Sequence, residues 1–226
     1  MLVAGFPAGS WGTNCYVVAP SAGAECLVID PGQDAAPGVE DILREHKLKP
    51  VAVLLTHGHI AHVFSVVPVC GAHDVPAYVH PADRYMLTDP ARSMGLPPGQ
   101  PMFGMEWSEP SEVVELMGSD RIELAGFDVP VDHAPGHTGG SVTFRFADAV
   151  LFSGDLIFAG SIGRTDLPGG SYDEIMSSLR RVVLPLPDEL PILSGHGPDT
   201  TVGRERATNP YLREAADAPA PTTRGL

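Results

Sequence analysis

Cysteine is scarce in this chain. Cys15, Cys26 and Cys70 are the whole complement, isolated, odd in number and without a C-x-x-C pair. They read as reduced thiols packed as small hydrophobes, which fits a cytoplasmic setting. Basic residues are also few: 14 Lys and Arg stand against 28 Asp and Glu, a formal net charge of −14. Nucleic acid needs a basic surface, so no nucleic-acid partner is expected. An anionic small substrate stays open, because a local positive charge in a site can outweigh the net charge of the chain. No apolar stretch approaches the roughly 20 residues that span a bilayer. The opening MLVAGFPAGSWGTN has neither a basic n-region nor a long apolar core. Neither a membrane partner nor a secretory signal is expected.

What the chain does have is a set of six chemically matched residues: His57, His59, His62, His137, Asp155 and His196. Each group follows an apolar run and a small-residue turn, as in VAVLLT-H-G-H-I-A-H, VPVDHAPG-H, AVLFSG-D and PILSG-H. Short apolar runs ending in Gly, Pro, Ser or Thr read as buried strands giving way to loops. Strand ends gathered at one sheet edge would bring the six together. Imidazoles and a carboxylate are the ligands that suit divalent zinc or iron.

At 226 residues, with 43% hydrophobic and 19% charged content, the chain is long enough for a substantial core in one domain. Residues 2 to 6, 14 to 18 and 26 to 30 read as strands. Val39, Ile42, Leu43 and His46 share one helical face. A strand over Val51 to Thr56 delivers the H-x-H loop, followed by a short helix over Val63 to Val69. Strand Ala77 to Val79 and a helix near Asp83 to Leu87 come next. Residues 121 to 153 look like four strands. Ser171 and Glu174 form a capping box before Ile175, Met176, Leu179 and Val182. A last strand, Ile192 to Leu193, precedes His196. The segment Asp89 to Pro110 has no period and reads as a long functional or mobile loop. Two groups of strands, each with helices, predict two sheets packed face to face with helices outside. Residues 1–214 are expected as one domain and 215–226 as a disordered tail.

The run THGHIAH resembles the H-x-H-x-D-H signature of the metallo-β-lactamase superfamily, with Ala61 where that signature has aspartate. PGHTGGS, SGDLIF and SGHGPDTT match its other metal-binding segments in order, and GRTDLPGGSYDEI with GHGPDTTVGRERATNP resembles its small glyoxalase II-like hydrolases. The resemblance covers Asn14 to Tyr211. It implies an α/β, four-layer αββα sandwich with a metal site at one edge. It assigns His57, His59 and His137 to a first metal, Asp155 to a bridge, and His62 with His196 to a second, as zinc or alternatively iron. Asp155 is then catalytic as well as a ligand. The implied activity is hydrolysis of a small-molecule acyl thioester, impaired by Ala61, which removes one carboxylate from the second site. Two other outcomes are compatible: a persulfide dioxygenase with one iron, and a non-catalytic metal-binding protein of the same fold.

Arg164 and Tyr172, just after the bridging aspartate, are candidate substrate contacts, with an ion pair of Arg164 with Asp166 an equal alternative. Asp30 and His133 are candidate supports for ligand histidines, with a turn-forming Asp-Pro-Gly the alternative for Asp30. Met102, Phe103, Met105 and Trp107 could form an apolar lid or simply pack the loop onto the domain.

Overall fold

A computed structural model describes residues 1–146 and 149–217. Its first half forms a six-stranded sheet in simple sequence order. Strands β1 (Leu2–Ala8), β2 (Thr13–Ala19) and β3 (Glu25–Ile29) are antiparallel neighbours. Helix α1 (Ala35–His46) crosses over to β4 (Lys49–Leu54), which pairs parallel with β3. Helices α2 (Ile60–Val63) and α3 (Val66–His73) lead to β5 (Ala77–Val79), and the single turn α4 (Pro90–Ser93) precedes β6 (Val113–Glu115). Both of those strands continue the parallel half of the sheet.

The second sheet runs β12-β11-β10-β9-β8-β7. Its strands β7 (Arg121–Leu124), β8 (Phe127–His133), β9 (Val142–Phe146) and β10 (Val150–Gly154) are the four expected between residues 121 and 153. After α5 (Tyr172–Ser178), strand β11 (Pro191–Ser194) returns parallel to β10. Strand β12 (Thr200–Thr201) and helices α6 (Val202–Thr208) and α7 (Pro210–Asp217) complete the described chain.

Period-2 alternation sorts the strand side chains into layers. Tyr16, Val18, Leu27, Ile29 and Leu54 of the first sheet meet Val131, Phe144, Phe146 and Phe152 of the second in one buried cluster. On the outer face of the first sheet, Val17, Val28 and Val53 pack with Val39 and Leu43 of α1 and Val69 of α3. On that of the second, Leu151 and Ile192 pack with Ile175, Val202 and Leu212. Helix, sheet, sheet, helix: this is the expected αββα sandwich. Each fully buried Leu, Ile or Phe contributes roughly 1.5–3 kcal/mol.

Two local expectations are corrected. The single helix read over Val63 to Val69 is split at Ser65, whose N–H donates to the Pro31 carbonyl (2.9 Å) and whose hydroxyl accepts from Ala35 N–H (3.2 Å). Both polar groups serve the start of α1 rather than a continuous helix. The expected tail begins too early: Ala215 is buried in α7 among the apolar side chains outside the second sheet. Small alanines gave no sign of that burial; the rest of that tail, 218–226, lies outside the described residues.

Candidate metal centre

The parallel pairing of β3 with β4 brings two chain turns to the same sheet edge. Asp30 follows β3 in a left-handed conformation (φ 49°), and Thr56 and His57 follow β4. His59 precedes α2 and His62 lies within it. From the second sheet, His137 lies between β8 and β9, Asp155 follows β10, and His196 follows β11. His57, His59, His62, His137 and Asp155 are all buried, and the His196 side chain is 29% exposed.

The six side chains converge. His57, His59 and His137 offer ligand atoms that all lie within 4.8 Å of one another, and so do His57, His62 and Asp155. His59 Nδ1 is 2.8 Å from His137 Nε2. His62 Nε2 lies 3.3 Å from His196 Nε2 and 3.3 Å from Asp155 Oδ1, the latter an ion-pair separation without hydrogen-bond alignment. Asp155 Oδ2 reaches His137 Nε2 at 3.4 Å and His196 Nε2 at 3.7 Å.

Partners behind the rings decide which nitrogens face inward. The Thr56 hydroxyl donates to Asp30 Oδ2 (2.6 Å), so toward His57 Nδ1 (3.1 Å) its oxygen is left as acceptor. His57 therefore carries its proton on Nδ1 and turns a bare Nε2 to the cluster. His62 Nδ1 lies 2.9 Å from Asp30 Oδ2, and His137 Nδ1 donates to the Arg164 carbonyl at 2.8 Å. Those contacts leave both Nε2 atoms for the interior. His57 Nε2, His59 Nε2 and Asp155 Oδ1 are buried without a hydrogen-bond partner. Buried acceptors left bare are costly unless something else satisfies them. A divalent cation fits this donor set.

Electrostatics divide the cluster. Burial drives the His57 pKa well below its ordinary value and lowers His59 to about 3, with neighbouring histidines pushing the same way. His137 is also lowered by burial, against the pull of Asp155. Burial would lower His62 too, but Asp155 and Asp30 outweigh it and raise His62 to about 10. Burial works to raise the Asp155 pKa, yet His62, His137 and His196 hold it well below the carboxylate range.

The family model described as "Metallo-beta-lactamase superfamily" matches residues 8–196. The chain belongs to the metallo-beta-lactamase superfamily. An uncharacterized protein of Mycobacterium tuberculosis is 47% identical over 219 residues, covering 94% of this chain and 98% of its own. A hydroxyacylglutathione hydrolase of Haemophilus influenzae is 33% identical, covering 91% and 95%. Among solved structures, a B3 metallo-beta-lactamase superposes with a TM-score of 0.83 at 37% identity, covering 93% of this chain and 99% of its own. A protein crystallised in a di-iron-bound form superposes at 0.78 with 35% identity, covering 92% and 99%.

Within this superfamily member the other sequence candidates fall in different places. Asp30 accepts from Thr56 N–H (2.8 Å) and the Thr56 hydroxyl and contacts His62, so it faces the histidines rather than only closing a turn. His133 donates from Nε2 to the Gly139 carbonyl (2.8 Å) and stacks on His80 at 4.3 Å, which supports the His137 loop through its backbone. The Arg164 side chain pairs with Asp166 through two bonds of 2.8 and 2.7 Å; only its carbonyl touches the cluster. The Tyr172 hydroxyl bonds Glu214 of α7 at 3.0 Å. Neither side chain hydrogen-bonds to the imidazoles. Of the loop aromatics, Phe103 packs edge-on to Trp11 and Trp107 to Phe64, while Phe103 and Met105 keep large exposed surfaces. Thr56 and Asp83 escaped the sequence reading: a threonine before a histidine and an aspartate in HPADR carry no ligand spacing. No helix among the described residues is long and apolar enough to cross a membrane.

Proposed function

We propose that this chain is a metal-dependent hydrolase of acyl thioesters, of the glyoxalase II-like type. The observation that carries the reading is the pair of adjoining ligand sets, His57-His59-His137 and His57-His62-Asp155. Two sets in contact suit a two-metal hydrolase better than a persulfide dioxygenase with one iron. The thioester is suggested by the name of the Haemophilus influenzae relative.

His57, His59 and His137 would hold the first cation. Asp155 would lie between the two and act in catalysis, with His62 and His196 completing the second. Zinc is the proposed metal, and the di-iron neighbour makes iron the alternative. When bound, the metal supplies a Lewis acid that lowers the pKa of water and polarises a carbonyl. The protein's own part is orientation: Asp30 fixes His62 directly and His57 through Thr56, and the Arg164 carbonyl fixes His137. Ala61, one residue before His62, leaves the second site without the carboxylate that the superfamily signature has there, so activity is reduced. The substrate is a small molecule; a net charge of −14 speaks against nucleic acid, and three buried free thiols suit a cytoplasmic protein.

The test is thiol release from acyl thioesters by zinc-loaded and iron-loaded protein, beside metal content per chain. The expected result is slow, metal-dependent thiol release. Oxygen consumption with a persulfide and no thiol release would overturn it in favour of the dioxygenase. Hydrolysis confined to β-lactams, the activity named for the B3 neighbour, would overturn it as well.

A further inference from the structure

The two loops that supply the three-histidine set come from different sheets, and one buried side chain joins them. Asp83 lies after β5, outside every metal motif, and is 0% exposed. Three donors from the two loops converge on its carboxylate. Gly58 N–H, between His57 and His59, donates to Oδ2 at 2.9 Å. The hydroxyl of Thr138, next to His137, donates to the same oxygen at 2.6 Å, and Gly140 N–H donates to Oδ1 at 2.8 Å. The packing is equally specific. A Cβ on Gly58 would meet the Asp83 carbonyl oxygen at 2.8 Å, and one on Gly140 would meet the Asp83 carboxyl carbon at 2.5 Å. Gly58 is thus needed for close approach rather than for a positive φ.

We infer that Asp83 is a positioning residue that clasps the H-x-H loop to the His137 loop and sets the separation of the three imidazoles. A carboxylate is the group that suits three incoming donors, since it only accepts. Asparagine at this position would turn an N–H toward at least one of them. Partners of metal ligands typically change metal affinity by about 10–100-fold when removed. The clasp acts one step further back, through the backbone on both sides of the ligands. The inference rests on the proposed metal site for its function, and on geometry alone for the clasp.

The test uses the full chain with cobalt(II) as the probe. Wild type, Asp83→Asn, Thr138→Val and Thr138→Ser are compared for cobalt affinity, for the visible absorption of bound cobalt, and for amide hydrogen exchange in the metal-free state. Expected for Asp83→Asn are affinity weakened by about 10–100-fold, an altered cobalt spectrum, and faster exchange at Gly58 and Gly140 with β3 and β4 unchanged. Thr138→Val should show a smaller loss that Thr138→Ser restores. If Asp83→Asn does not fold, the Thr138 pair decides by the same readouts. A folded variant that melts earlier yet binds cobalt with wild-type affinity and spectrum would reduce Asp83 to a structural residue and overturn the inference. Wild type that takes up no cobalt would sink the metal reading instead, and exchange at Gly58 and Gly140 would then judge the clasp alone.

Discussion

The two halves of the cluster share His57 and almost touch, yet they are built on opposite electrostatic plans. The half with His59 and His137 contains only imidazoles, kept neutral by burial and by each other. The half with His62 contains two carboxylates, Asp30 and Asp155, that hold a proton on His62 to about pH 10. A cation entering the first half meets neutral imidazoles. One entering the second must displace a proton from an internal ion pair. The lesson is that ligand identity does not set readiness; the charge behind the ligands does.

The largest effect should come from the residue that faces both halves. Asp155→Ala should remove metal from each set and drop thioester hydrolysis to background. The metal-loaded form should also lose the stabilisation that bound ligand gives through linkage. Elemental analysis of the purified variant checks this, and an unchanged metal stoichiometry would break the bridging assignment.

Ala61→Asp should sharpen the contrast in the other direction. Metal content is expected to rise toward two ions per chain, and turnover to rise by at least about 10–100-fold. Flat turnover with unchanged metal content would mean that a carboxylate at 61 only adds negative charge, and that the site is suited to one metal.

A smaller effect is expected from pH on metal-free protein, and its sign differs between the halves. His57, His59 and His137 have lowered folded pKa values, so below about pH 6.5 the unfolded chain takes up protons that the native chain refuses. Their contribution is present above pH 6.5 and is lost as pH falls. His62 is raised, so its contribution is full below about pH 6.5 and lost as pH climbs toward 10. Three histidines against one predict net destabilisation on acidification from pH 7 to 5, followed by thermal melts in chelator. A melting temperature that rises over that interval would contradict the neutral first half.

The smallest effect belongs to Arg164, whose side chain is spent on an exposed pair with Asp166. Arg164→Ala should leave the melting temperature and thioester KM near wild type, because an exposed pair is screened and the cluster uses only the carbonyl. A several-fold rise in KM would restore Arg164 as a substrate contact.

Much of the fold was readable from local pattern. The continuous apolar runs in CYVVA and AVLFSG mark strands because a sheet covered on both faces demands them. The helical face of Val39, Ile42 and Leu43 is equally local. The breaks were not: Ser65 ends a helix by bonding Pro31 and Ala35, and Ala215 is buried by residues far away in sequence. The loop aromatics show the same limit. Phe103 and Trp107 find Trp11 and Phe64 only once three loops are placed together.

The sequence by itself determined the family, the sandwich and the six side chains of the cluster, because strand periodicity and ligand chemistry are written in residue type and order. Only the tertiary structure decided what stands behind those side chains. Asp30 is 26 residues from Thr56 and 32 from His62, and Asp83 is 55 from Thr138. Their roles exist because parallel strands and a crossing loop bury carboxylates against donors that no local pattern connects. Hydrogen-bond reach is a matter of a few ångströms in space, and distance along the chain does not encode it.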